Sequence, residues 1–465
     1  MVLRTLARAA LLLVWWGTVV SAQTEAPASA APLNAAALKP KIEQYLEAQS
    51  RVFLFGGAVL VARDGEVLFS RGYGPANAEW DVPNTPETRF RLGSITKQFT
   101  ATAILRLQQQ KKLSVQDPIC AHLSPCPDAW KPITIHHLLT HTSGIPSYTS
   151  SPEYRKTMMV PKTVDDMVAG FRDQPLEFAP GEQFRYNNSG YFLLGVIIEK
   201  VAGRKYEQVL RDEIFAPLGM SDTGYDWSEP LLPRRASGYA RRDEGLVNAP
   251  FLDMQQPYSA GSLYSTAGDL LKWDRALYTD HVLPKPALET MFTPFKNDYA
   301  YGWSITPEGK GPSGKLQVGH GGGINGFSTM YTRVPEDKVA VIVLSNVENA
   351  NSGAIARDIL SMLYGKPYQV PAERSTVAVK PDILASYVGR YQIAPEFVLT
   401  VTLEDGKLMT QATGQGKLQV YPESETTFFL KVVDAQLTFA RDEQGKVSHV
   451  TLHQNGRDTK AVRIE

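Results

Sequence analysis

Cysteine is almost missing from this chain: there are two, Cys120 and Cys126, in 465 residues. A disulfide framework is thereby excluded as the main support of the fold. The pair lies in a Pro-containing loop with His122 between them. A small disulfide ring and two unpaired thiols both remain open, whereas a zinc site would lack a fourth ligand nearby. Net charge is missing too. Forty-eight basic residues balance 48 acidic ones, so no overall field recruits nucleic acid or an acidic membrane surface, and a small-molecule or peptide substrate fits better. The apolar stretch near the start, Ala9 to Val20, falls short of the ~20 residues that span a bilayer. Arg4 and Arg8 precede it and Val20-Ser21-Ala22 closes it with small residues, the form of a signal peptide over residues 1–22. No cysteine follows to carry lipid. The expectation is an exported protein, periplasmic or secreted, with no stable membrane insertion once the signal is cleaved. Nothing in the sequence addresses oligomeric state.

The length suits about three domain-sized pieces, and the patterning divides accordingly. An Ala/Pro-rich linker over residues 23–39 precedes a folded part at 40–368. Ala58-Val59-Leu60-Val61 and Val67-Leu68-Phe69 flank Arg63-Asp64-Gly65-Glu66, which reads as a hairpin with a tight Asp-Gly turn. Ile95, Phe99, Ala103 and Leu107 recur at every fourth position, thickened by Ile104 and Leu105, so a central helix is expected there. From about Lys112 to Pro257 the pattern reads as helices and Pro/Gly loops, including helices over Tyr191 to Val201 and Tyr206 to Phe215. Strands return at Gln317-Val318, Phe327 to Val334 and Val339 to Ser345, followed by a helix carrying Ile355, Ile359, Met362 and Leu363. Early and late strands around a helical insert imply one antiparallel sheet built from both ends, an α+β fold. Residues 381–465 switch to short β-rich runs at Phe397 to Leu403, Lys417 to Tyr421, Thr427 to Val433, Gln436 to Ala440 and Val447 to His453. They read as a small all-β domain, barrel-like, capping the larger one.

Three short patterns each occur once. Ser94-Ile95-Thr96-Lys97 is the sole Ser-x-x-Lys, placed where a Gly-led loop enters the apolar helix. Positions i and i+3 share a helix face, so the Lys97 amine can take the Ser94 proton if burial and the helix dipole lower its pKa. Tyr186-Asn187-Asn188 is the sole Tyr-x-Asn among 20 tyrosines, after an Ala-Pro-Gly turn. A tyrosine beside an amine serves as base or proton relay, and an Asn amide can hold lysine and substrate together. His320-Gly321-Gly322-Gly323 is the sole His-x-Gly among eight histidines. Glycines there let backbone N–H groups approach a substrate oxygen, as an oxyanion hole requires.

In this order, the three patterns resemble the serine hydrolase family that contains class C β-lactamases, DD-peptidases, D-aminopeptidases and related esterases. The resemblance covers roughly Pro40 to Tyr368, with the flanking phrases Gly93 to Thr100, Leu138 to Gly144 and Gly319 to Phe327. It implies a β-lactamase/transpeptidase-like fold and an acyl-enzyme formed on Ser94, with Lys97 and Tyr186 sharing the general-base role. Asn188 would orient substrate, Gly322 and Gly323 would belong to the substrate-binding strand, and His320 would line the pocket. The Ser94 and Gly323 N–H groups would hold the oxyanion. No metal or organic cofactor is implied.

One departure bears on substrate. Many members that cleave β-lactams or peptidyl-D-Ala carry Lys-Thr-Gly where this chain has His320-Gly321-Gly322, and that lysine holds a carboxylate. A histidine with an ordinary pKa near ~6.5 is mostly neutral at pH 7 and holds an anion less firmly. An esterase or D-amino-acid peptidase is therefore expected ahead of a β-lactamase or penicillin-binding protein. Ser-Asp-Asn is missing, so the class A pattern is excluded. Gly-x-Ser-x-Gly is missing, so the His-Gly-Gly-Gly of α/β-hydrolase lipases is excluded as well. A catalytically silent ligand-binding protein is the rival from another class, and intact motifs weigh against it. His136, His137, His141, Tyr299, Tyr301 and Trp303 read as packing or turn residues.

Overall fold

The computed structural model describes residues 35–454 and 457–465. The expected signal peptide and the linker as far as residue 34 lie outside the described residues; residues 35–39 already belong to a helix, Ala35–Phe53. The hairpin follows, with strands Gly57–Arg63 and Glu66–Tyr73 paired antiparallel. Its corner residues Asp64 and Gly65 have φ of 52° and 80°. Both are left-handed, as a two-residue turn matched to strand twist requires.

The rest of this sheet comes from the other end of the hydrolase domain. Its order is Ser304–Thr306, Gln317–Ile324, Phe327–Val334, Val339–Ser345, Gly57–Arg63, Glu66–Tyr73, every pair antiparallel. Gly57 pairs with Ser345 and Val61 with Val341. Strand residues alternate between two buried faces. Ala58, Leu60, Ala340, Ile342 and Leu344 join the core around Phe99, Ile104 and Leu107 of the helix Thr96–Gln109. Val59, Val61, Val341 and Val343 point the other way and are equally buried. Helices Ala35–Phe53 and Ser352–Leu363 pack against this sheet and each other. The α+β expectation holds. The Thr96–Gln109 helix is buried nearly all round, its Thr100 and Thr102 hydroxyls turned back onto the Thr96 and Gln98 carbonyls.

The insert is not purely helical. Phe90–Arg91, Leu263–Ser265 and Gly224–Tyr225 form a three-stranded sheet, and Tyr239–Arg242 pairs with Gly245–Asn248. Strands of two to four residues are too short to show alternation, which is why the sequence pattern passed over them. Cys120 and Cys126 are joined in a disulfide.

The C-terminal domain is one nine-stranded antiparallel sheet. The expected Lys417 to Tyr421 strand is broken at Val420 into Leu418–Gln419 and Tyr421–Pro422, and these two pieces are the opposite edges of the sheet. One residue therefore links its first and last strands, giving a barrel-like, nearly closed sheet. Tyr387, Tyr391, Leu399, Phe428, Leu437, Phe439 and Val450 fill its centre. Gly389–Ala394, Lys407–Ala412 and Arg457–Arg463 are strands not expected from sequence; polar and charged residues such as Arg390, Gln392, Gln411, Asp458 and Lys460 interrupt them and dilute the apolar signal. The expected Thr427 to Val433 strand ends at Phe429.

Candidate active site

Ser94 sits in a single 3-10 turn, Gly93–Ile95, that feeds the Thr96–Gln109 helix. The approach is fixed by the short sheet: Phe90 and Arg91 pair with Ser265 and Tyr264, and Leu92 N–H donates to the Leu263 carbonyl at 2.8 Å. Gly93 has φ of 54° and its Cα lies so close to the Gln317–Ile324 strand that a Cβ would stand 3.0 Å from Gly323 N. Glycine is needed there on both counts.

Lys97 is 0 % exposed. Its Nζ lies 3.1 Å from Ser94 Oγ, 2.8 Å from Asn188 Oδ1 and 2.9 Å from the Ala260 carbonyl. Among the described residues no carboxylate pairs with it. Burial alone pushes its pKa well below the ordinary lysine range. A neutral amine has two hydrogens and one lone pair; donating to Asn188 and Ala260 leaves the lone pair facing the Ser94 hydroxyl. The Ala260 carbonyl is brought there by the turn Tyr258–Ala260, locked against the helix Asn188–Ala202. Ser259 Oγ donates to the Tyr191 carbonyl at 2.8 Å, and a Cβ on Gly195 would meet that Oγ at 2.2 Å.

The Tyr-x-Asn pattern straddles that helix's start. Asn187 is its N-cap, accepting from Gly190 N–H at 2.7 Å. Asn188 occupies the first turn: its N–H donates to Ser147 Oγ at 3.1 Å and its Nδ2 to Thr149 Oγ1 at 3.0 Å. Tyr186 is 38 % exposed, and Ser94 is the side chain that its hydroxyl interacts with. Burial raises its pKa above the ordinary phenol value, the bond to Ser94 opposing. Its ring centre is 4.9 Å from Lys97 Nζ.

The His-x-Gly pattern lies inside the strand Gln317–Ile324, which runs on well past the Gln317-Val318 signal that the sequence shows. Ser304–Thr306 pairs only as far as Gly319, so from His320 onward the strand has a free edge beside Ser94. The three glycines differ. A Cβ on Gly322 would fall 1.9 Å from the Leu92 carbonyl, so glycine at this position lets the strand pack closely against the nucleophile loop. Gly323 has open space where a Cβ would project. His320 is buried, its Nδ1–H donating to the Gly321 carbonyl at 2.6 Å and its Nε2 accepting from Tyr299 OH at 2.9 Å. Burial, reinforced by Lys97, holds its pKa down at about 4.

Five participants escaped the sequence reading: Tyr299, His141, Ser147, Thr149 and the Ala260 carbonyl. His141 is 1 % exposed with φ of 57°, accepts from Asn187 N–H at 3.0 Å, and packs against the Tyr186 ring at a tilt, ring centres 4.3 Å apart. The phrase from His141 to Thr149 was the signal available, since it supplies three of the five. His136 and His137 are packing and capping residues as expected, bonded to Tyr301 OH and the Thr134 backbone. Trp303 is core.

Comparison with known proteins fits this arrangement. The β-lactamase family model matches residues 41–366. The chain belongs to the β-lactamase family. It is accordingly a serine hydrolase working through an acyl-enzyme. A second model, a domain of unknown function (DUF3471), matches residues 373–463. A penicillin-binding protein of Bacillus subtilis (strain 168) is 31 % identical over 445 residues, covering 88 % of this chain and 95 % of the relative. The teichoic acid D-alanine hydrolase of Staphylococcus aureus is 30 % identical over 336 residues, 70 % of this chain and 79 % of that protein. Among solved structures, the octameric penicillin-binding protein homologue from Pyrococcus abyssi aligns with a TM-score of 0.64 at 29 % identity, covering 91 % of this chain and 99 % of its own. Among the described residues, no helix is long and apolar enough to cross a membrane.

Proposed function

We propose that this β-lactamase-family chain is an exported esterase or D-amino-acid peptidase, with Ser94 as nucleophile and Lys97 as its base. The observation that carries the mechanism is the Lys97 amine, buried with no carboxylate partner among the described residues and 3.1 Å from Ser94 Oγ. Neutral Lys97 takes the Ser94 proton as Oγ attacks the substrate carbonyl carbon. The oxyanion then lies between the Ser94 and Gly323 N–H groups, each such donor being worth ~3 kcal/mol of barrier. Tyr186, kept protonated by burial, passes a proton from Lys97 to the departing alcohol or amine as the carbonyl–leaving group bond breaks. This refines a shared general-base role into base and relay. Water then attacks the acyl-enzyme and regenerates Ser94. Asn188 gives its carbonyl oxygen to Lys97, so only a remaining Nδ2 hydrogen is free to orient substrate.

His320 supports the substrate class. Neutral at pH 7 and tied to Tyr299, it offers no cation to a substrate carboxylate, and the D-alanine hydrolase relative lends weight to a D-configured acyl group. The test compares initial rates on a p-nitrophenyl ester, a D-alanyl anilide and a chromogenic cephalosporin, with Ser94→Ala as blank. Serine-dependent turnover of ester or D-amide with slow cephalosporin hydrolysis is expected. Fast cephalosporin hydrolysis would return the chain to the β-lactamase reading, and no difference from the blank on any substrate would make it a silent binder.

A further inference from the structure

Away from Ser94, the hydrolase domain and the barrel enclose a cavity of about 460 Å³. Phe53 and Phe55 at the end of the first helix, Ala354 in the first turn of Ser352–Leu363, and Val433 and Asp434 of the barrel line it, together with Arg241 from the strand Tyr239–Arg242. Asn349 bridges the two domains at its edge, its Nδ2 donating to the Arg241 carbonyl at 2.9 Å and to the Val432 carbonyl at 3.4 Å.

Arg241 is 4 % exposed. Its Nη1 donates to the Phe53 carbonyl at 2.6 Å and its guanidinium carbon lies 5.0 Å from the Phe53 ring centre. Its Nε is buried with no hydrogen-bond partner, and among the described residues no carboxylate forms an ion pair with it. Burial lowers its pKa to about 10, with the Asp434 charge acting in opposition, so the guanidinium stays charged at neutral pH. A buried, unpaired charge is costly, and an arriving counter-charge relieves it. The first turn of Ser352–Leu363 puts the positive end of a twelve-residue helix on the same wall. The rest of the wall mixes apolar Ile355, Pro367 and Tyr368 with polar and charged residues, the charged ones being Arg357, Asp358, Asp434 and Arg457.

We propose that this cavity binds a small organic monocarboxylate with an apolar side group, the carboxylate on Arg241 and the side group against Phe53, Phe55 and Val433. The site is separate from the Ser94 cleft and does not depend on the substrate assigned there. It is tested by calorimetric titration of the full chain with 3-phenylpropionate, with inorganic phosphate and phenethylamine as comparison probes. One 3-phenylpropionate per chain is expected, with affinity unchanged in Ser94→Ala and about thirtyfold weaker in Arg241→Met. Ala354→Trp, which fills the cavity and leaves the guanidinium in place, should weaken binding as much while ester turnover stays at the parent rate. Binding that survives both cavity variants, that is lost in Ser94→Ala, or that phosphate or phenethylamine matches would overturn the proposal. So would no binding of 3-phenylpropionate at millimolar concentration.

Discussion

Lys97 in the cleft and Arg241 at the domain junction are both cations driven out of water, 0 % and 4 % exposed, with no carboxylate paired to either among the described residues. Their fates differ because of their chemistry. A lysine amine deprotonates readily when desolvated, so burial converts Lys97 from a charge into a lone pair aimed at Ser94. A guanidinium, lowered only to about 10, keeps its charge and offers the surplus to whatever anion enters. The same desolvation thus gives a base in one place and a receptor in the other.

The sharpest way to isolate the cleft half of this comparison is Ser94→Ala, which should lower ester turnover about 10⁴-fold or more with the circular dichroism spectrum unchanged. Next, Lys97→Arg puts the junction's kind of cation into the cleft. Turnover should fall about 10³-fold, because the guanidinium cannot take the serine proton; a loss under tenfold would show that Tyr186 alone suffices as base. The pH profile reads the same point in the parent enzyme. The base is active only when unprotonated, so kcat/KM should rise with pH through a Lys97 pKa displaced well below that of an ordinary lysine. An unshifted lysine, neutral in roughly one part in 10³ at pH 7, would instead give a tenfold rise per pH unit from 7 to 9.

Stability gives a smaller signal. His320 is held neutral in the folded chain with a pKa of about 4, below its unfolded value of 6.5. The unfolded state therefore binds the proton first. The contribution is fully present above pH 6.5 and is lost as pH falls towards 4, amounting to ~3 kcal/mol. Denaturant midpoints between pH 7 and 4 should fall accordingly, and less so in His320→Gln; equal slopes for both would place the acid sensitivity elsewhere. The smallest effect is expected from Arg241→Lys, which makes the junction resemble the cleft. The lysine can shed its charge on burial, so stability should change by only about 1 kcal/mol while 3-phenylpropionate affinity drops.

The three motifs were legible because each is a local spacing that a helix, a cap or a strand carries unchanged into the fold. Ser94 and Lys97 share a face by helix geometry, and Asn187 caps wherever the helix begins. What escaped depends on long-range placement. The Ala260 carbonyl is a backbone atom with no side-chain signature, delivered by a three-residue turn and a strand as short as Leu263–Ser265. Tyr299 and His141 are ordinary aromatic residues in sequence and become part of the site through Nε2 of His320 and the ring of Tyr186. The resemblance puts Gly322 and Gly323 on one substrate-binding strand, and the register of that strand against Leu92 distinguishes Gly322, which packs on the Leu92 carbonyl, from Gly323, which faces open space. The sheet was legible from its long apolar strands, and the barrel strands interrupted by polar and charged residues were not.

The pairing of Gly57–Arg63 with Val339–Ser345 also sets a clock. At synthesis rates of about 5–20 residues per second, Val339–Ser345 can take its place beside Gly57–Arg63 only on the order of tens of seconds after that first strand has been made. Until then, Gly93 has no Gly323 to pack against and the serine no finished pocket. The serine's pocket is therefore completed only by strands that come last in its domain.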